Sequence, residues 1–226
     1  MITLLDNPAW EALSSRQKHF NCGSDTLKYF PPEVAPFIAM KNWDENDLQG
    51  LVKNIPTGRP FSFIAAKKKI LPPEFRIIFT TPLYQMYCPV LKSFTKAGVA
   101  IRSLNTNDVP QMLTLTAKTK PGPFYERTIE FGNYIGIFNG DELIAMAGER
   151  LKANGYTEVS AICTSPDHLG KGYASYLLSK ASERIITEGN VPFLHVRADN
   201  DRAIEVYKKM GFEIRTKIDF AIFKKE

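Results

Sequence analysis

The apolar positions change their period along the chain, and each change marks an element. Ala174, Leu177, Leu178, Ala181 and Ile185 recur at helical spacing and predict a long amphipathic helix. Before it, Val159, Ile162 and Cys163 read as a strand stopped by Ser165-Pro166-Asp167, because proline cannot continue a hydrogen-bond ladder. Between the two, Gly170 and Gly172 free the backbone. Towards the N-terminus the pattern predicts a helix from Asn7 to His19, and another from Asp44 to Asn54 with Asp44 as its cap. Strands follow at Phe61 to Ala66 and Glu74 to Thr80, and the apolar stretch Leu83 to Cys88 extends the packing or adds a further strand. The basic run Lys67-Lys68-Lys69 reads as a hairpin turn between the first two.

From Val99 the order is a strand to Leu104, a helix capped at Asn107 or Asp108, a Pro/Gly loop at Thr119 to Phe124, and a short helix over Tyr125 to Phe131. A hairpin follows, Asn133 to Phe138 and Glu142 to Lys152, turned by Asn139-Gly140-Asp141. Its second strand is apolar on both faces and should be central. After the long helix, Val191 to Val196 is a strand and Arg202 to Lys209 a helix capped by Asp199 or Asn200. Phe212 to Phe223 returns as one strand or a hairpin. This is a mixed α/β (α+β) fold, a sheet with helices on its faces. Residues 1–95 form a smaller α/β N-terminal half and 96–226 the second unit.

Composition narrows the classes. The 226 residues suffice for one large domain or two small ones, and a net charge of +5 fits a solvated surface better than nucleic-acid binding. Cys22, Cys88 and Cys163 are too scattered for a disulfide framework or a metal site. Reduced thiols, the lack of a leader-like N-terminus and the lack of a spanning apolar stretch predict a cytoplasmic protein with no membrane partner.

The chemistry concentrates at the glycine turn. A helix N-terminus leaves backbone N–H groups unpaired, and with the helix dipole behind them they bind phosphate. Lys171 adds a positive charge. A second pattern, N-x-x-A-x-x-x-Y-x-x-x-G-F, runs from Asn200 through Ala203 and Tyr207 to Gly211-Phe212. With the strand–G-K-G-Y-A–helix turn and the glutamate-bearing hairpin, it resembles the GNAT superfamily of acyl-CoA-dependent N-acetyltransferases over roughly residues 100 to 226. The family's loop reads Q/R-x-x-G-x-G/A, and here Leu169 stands where the Gln or Arg is usual.

That resemblance implies a mostly antiparallel GNAT-like sheet, an N-terminal half that is a degenerate copy or partner of it, and acetyl-CoA as donor to a primary amine. It implies a monomer or homodimer. The pantetheine arm would run along the strand at Ile162, Cys163 and Thr164. The pyrophosphate would meet the N–H groups of Gly170, Lys171, Gly172, Tyr173, Ala174 and Ser175. Tyr207 takes the position of the acid that serves the leaving thiolate, otherwise a helix tyrosine packed beneath the sheet. Glu149 is the candidate base, otherwise an ion-paired residue. Glu158 is a second, sharing by alternation a face with Ser160, Ile162 and Thr164, or is simply exposed at a strand end. Asn200 is a cofactor contact or simply a cap. His195 and Cys163 read as structural, and His168 as an exposed turn residue. Phe124 and Arg127 either shape the acceptor pocket or pack their loop. The alternative to an enzyme is a non-catalytic acyl-CoA-binding or regulatory module.

Overall fold

The computed structural model describes residues 2–66 and 69–226; Lys67 and Lys68, and with them most of the basic run, lie outside the described residues. The elements in order are β1 (Leu27–Tyr29), β2 (Ile38–Met40), β3 (Pro60–Ala65), β4 (Phe75–Tyr87), β5 (Arg102–Ser103), β6 (Ile135–Asn139), β7 (Glu142–Ala153), β8 (Tyr156–Thr164), β9 (Val191–Arg197) and β10 (Glu213–Lys225). The helices are α1 (Pro8–Ser14), α2 (Glu45–Asn54), α3 (Val109–Thr119), α4 (Tyr173–Thr187) and α5 (Asp201–Lys209). Asp44 caps α2 as expected, its carboxylate accepting from the Asp47 N–H at 3.0 Å. The segment expected as a second short helix closes as a 3-10 turn at Thr128–Phe131.

Eight strands form one sheet in the order β3-β10-β4-β9-β8-β7-β6-β5, and β1 pairs with β2 apart from it. Every pairing is antiparallel except β8 with β9. The sheet crosses the boundary near residue 95: β4 lies between β9 and β10, pairing Gln85 with His195 and Ile218 with Leu83. The hairpin expected between Phe61–Ala66 and Glu74–Thr80 does not form, because β10 separates β3 from β4. The stretches Glu74–Thr80 and Leu83–Cys88 are instead one strand. Pro82 is tolerated within it because β9 pairs with β4 only from Leu83 on, so no ladder needs the missing N–H.

Helices cover both faces. On one, α4 sets Leu177, Leu178, Ala181 and Ile185 against the sheet, the last three packing with Met86, Val159, Leu194 and Val196. Burying each such side chain is worth about 1.5–3 kcal/mol. On the other face α1 and α3 cover Met146, Cys163 and Phe193 with Leu13, Met112 and Leu115. An aromatic cluster of Phe61, Phe63, Phe75 and Phe223 closes the β3 end with α2. After α5, Gly211 (φ 93°) lets the chain following β4 come close. A Cβ there would meet the Val90 carbonyl oxygen at 2.0 Å.

Candidate active site

The β8–β9 ladder runs only from Tyr156–Val191 to Glu158–Phe193. Beyond it β8 keeps β7 as partner out to Thr164, and β9 keeps β4 out to Arg197. The two parallel strands therefore fork. A bulge opens the fork further: the β7–β8 register shifts between Met146 and Gly148, and Ala161 takes a left-handed φ of 52°. The bulge also overturns the expected alternation. Glu158 bonds Arg150 and His195 on one side of the sheet, whereas Ile162 packs with Leu178 and Leu177 on the α4 side.

At the mouth of the fork, a cleft of about 360 Å³ is lined by Ile162, Cys163, Thr164, the turn Gly170 to Gly172, and Tyr173, Ala174, Ser175, Asn200 and Tyr207. The structure thus brings together every residue that the sequence proposes for the cofactor, along with Tyr207. Gly170 and Gly172 both sit at left-handed φ (77° and 78°), a conformation that L side chains adopt only with strain. Gly172 is the N-cap of α4 with no side chain capping it, so the first N–H groups of a 15-residue helix are open to the cleft. Lys171 stands beside them, its Nζ 3.3 Å from His168 Nδ1. Arg202 lines the same cleft, a second cation that no motif had singled out. Leu169 is exposed at the rim.

Tyr207 is half-buried against Phe212, and burial pushes its phenol up to about 12. Asn200 caps α5, its side chain accepting from the Ala203 N–H at 3.2 Å. Cys163 is buried, which raises its thiol to about 11. Phe94 reaches over the turn, since a Cβ on Gly172 would meet its ring at 3.4 Å. The Phe94 N–H is fixed by donating to Ser179 Oγ at 2.8 Å.

The carboxylates lie elsewhere. Glu149 is 1% exposed and does not line this cleft. It pairs with Lys152 Nζ at 2.7 Å, accepts from Asn133 Nδ2 at 2.9 Å and lies 4.0 Å from Arg184. Glu158 is fully buried and takes two bonds from Arg150, at 2.9 and 2.5 Å, and one contact from His195 Nδ1 at 2.6 Å. Burial opposes its charge, but Arg150 and His195 outweigh that and hold the carboxyl down to about 2. Gln85 fixes the imidazole tautomer. Its oxygen accepts from Arg215 Nε and its amide nitrogen donates to the Leu5 carbonyl, so the same nitrogen donates to His195 Nε2 at 2.9 Å. His195 Nδ1 then carries the proton, towards Glu158. Arg127 is taken up by Glu130 at 2.6 and 2.9 Å, and Phe124 packs edge-on against Tyr134. Among the described residues no helix is long and apolar enough to cross a membrane, and no group of His, Cys, Asp or Glu is placed to hold a metal ion.

Comparison with known proteins agrees with this geometry. A protein of Novosphingobium aromaticivorans DSM 12444 assigned to the GNAT acetyltransferase family superposes with a TM-score of 0.90 at 32% identity, covering 98% of each chain. This chain belongs to the GNAT family. The FR47-like protein family model matches residues 134–221 of this GNAT chain, from the start of the β6–β7 hairpin into β10. N-alpha-acetyltransferase RimI of Mycobacterium tuberculosis is 33% identical over 86 residues, which are 36% of this chain and 52% of that protein. The match therefore spans about half the length of that curated relative. A GCN5-related N-acetyltransferase from Kribbella flavida shares the fold, with a TM-score of 0.65 at 14% identity over 96% of this chain and 95% of its own.

Proposed function

We infer that this GNAT protein is an acetyl-CoA-dependent N-acetyltransferase acting on a primary amine. The observation that carries this is one cleft holding a left-handed glycine turn, an uncapped helix N-terminus, the forked strand edge and Tyr207. The cleft fits a pyrophosphate carrying a thioester arm. The N–H groups of Gly170 to Ser175 take the phosphates, with Lys171 and Arg202 alongside, and the edge of β8 takes the pantetheine amides.

In the reaction the amine nitrogen bonds to the acetyl carbon, the carbon–sulfur bond breaks, and the thiolate leaves. The amine gives up one proton and the sulfur gains one. With its phenol near 12, Tyr207 stays protonated throughout the working range. Complete transfer to a thiolate of ordinary pKa, about 8.5, would run uphill by roughly 5 kcal/mol. Tyr207 therefore acts first as a hydrogen-bond donor to the sulfur as negative charge develops there. On the amine side, a carboxylate near 2 is far too weak a base for an ammonium near 10, a gap of about 11 kcal/mol. Glu158 thus holds the architecture: the amine enters as its neutral fraction, and the nitrogen, far more acidic once bonded to the acetyl carbon, releases its proton to solvent.

Tyr207→Phe tests this reading through acetyl-CoA-dependent thiol release. The expected result is a fall in kcat of about 10²–10³-fold with unchanged acetyl-CoA binding. Unchanged turnover would remove Tyr207 from the mechanism. The engagement of both Glu149 and Glu158 in ion pairs favours a second reading, an acyl-CoA-binding module without turnover. That reading predicts acetyl-CoA binding with no thiol release for any amine.

A further inference from the structure

Across the sheet from the cofactor cleft lies a second cleft of about 510 Å³, within the usual range of small-molecule sites. Its wall includes His195 and Arg197 of β9, the strand that forms one arm of the fork. It shares Arg150 with a smaller pocket that holds Ser160 and Ala161 of β8, the other arm. An acceptor seated there approaches the fork from the face that the donor leaves free.

The floor is apolar: Ile64, Phe79, Phe220 and Ile222, drawn from β3, β4 and β10. Phe79 is 42% exposed, with its ring 6.5 Å from Phe220. Among the described residues the charged side chains at the rim are all cationic, and no carboxylate lines the cleft. Three cations are present, and they are not equivalent. Arg150 is committed to the buried Glu158. Arg197 is paired with Asp199, but both are more than half exposed, and such surface pairs are weak, so an incoming anion can displace Asp199. Lys120, held at a left-handed φ of 49° at the end of α3, has no ion-pair partner among the described residues. A polycationic amine meets like charge here, and the nearby carboxylates, Asp199 and Glu158, are already paired with Arg197 and Arg150. A carboxylate finds Lys120 free and Arg197 available, with an apolar surface beside them.

We propose that the acceptor is a small anionic amphiphile: a primary amine bearing an aromatic or large aliphatic body and a carboxylate, the chemistry of an apolar amino acid. This rests on the acetyl-transfer reading above. The site takes the carboxylate at Lys120 and Arg197 and the apolar body on Phe79, Phe220 and Ile222.

The test is thiol release at saturating acetyl-CoA with phenylalanine, phenylalaninamide, 2-phenylethylamine and spermidine. Phenylalanine should have the highest kcat/KM, on the order of tenfold above its amide, as a charge-assisted contact warrants. Lys120→Glu, an exposed change, should abolish that preference by raising KM while leaving kcat and the acetyl-CoA-induced thermal shift in place. Spermidine or the amide matching phenylalanine, or a preference that survives Lys120→Glu, would overturn the proposal. A second arm needs no turnover: with CoA present, N-acetylphenylalanine should raise the unfolding temperature more than its amide does. Equal shifts would sink the substrate class even if acetyl transfer stands. Absence of any acetyl-CoA shift would instead sink the reading beneath it.

Discussion

Replacing Arg150 with Met keeps much of the side-chain volume and removes one charge from a buried network. Arg150 is 11% exposed, grips Glu158 with two hydrogen bonds, and lies 4.9 Å from the centre of the Phe37 ring. Without it, Glu158 keeps only His195 and the weak Leu151 N–H contact at 3.3 Å. Breaking a buried pair from one side costs about 3–5 kcal/mol, because a charge is left uncompensated. The protein can reduce that cost by binding a proton on Glu158, whose neutral carboxyl needs no counter-charge. The folded variant thus holds one proton more than the folded wild type. Against an unfolded glutamate of about 4.3, its stability should fall by up to about 1.4 kcal/mol per pH unit above that value. In the wild type the depressed carboxyl has the opposite sign. Its contribution is present above the ordinary glutamate pKa and is lost as pH falls from there towards 2. Urea unfolding of both proteins at pH 6.5 and 7.5 measures this. The variant should be weaker by about 3–5 kcal/mol at pH 7.5, with a gap that narrows at pH 6.5. A gap below about 1 kcal/mol, or one that does not change with pH, would refute the assignment of Glu158 as a charge held by Arg150.

Two further outcomes follow from the cleft. Cys163, with its thiol near 11, should react with iodoacetamide far more slowly than the exposed Cys22, which peptide mapping of a short alkylation at pH 7.5 would show; equal labelling would contradict its burial. Asn200→Ala should cost about 1 kcal/mol of stability through the lost α5 cap, and Asn200→Ser should restore most of it; no loss on denaturant titration would mean that the cap bond is inconsequential.

The parts of the fold written in local sequence were legible. The glycine turn, the period of α4 and the Asn200-to-Gly211 pattern each depend on residues close along the chain, and together they line one cleft with Tyr207 on it. What depends on distant pairing was not. Nothing in the sequence places β4 between β9 and β10, and Pro82 divides a strand that the structure keeps whole because no partner needs that N–H. The bulge at Ala161 reverses the strand alternation behind the shared face expected for Glu158 and Ile162. Glu149 shows the same limit in side-chain chemistry. Its strand is central, as expected, but Lys152 and Asn133 both hold its Oε2, and among the described residues its buried Oε1 has no hydrogen-bond partner. Arg202 and Lys120 carried no motif, and their relevance appears only when the clefts they line are assembled.

The central claim is that the turn at Gly170–Gly172 holds the donor's phosphates. The most direct measurement is thermal unfolding with and without acetyl-CoA, for the wild type and for Gly172→Val. A ligand at a hundred times its Kd adds about 2.7 kcal/mol of stability, so the wild type should show a saturable rise in Tm. Gly172→Val forces a β-branched side chain into a left-handed φ of 78° at the mouth of the cradle, and it should fold yet lose that rise. A wild type that unfolds at the same temperature with and without acetyl-CoA, or a variant that keeps the full shift, would contradict the account.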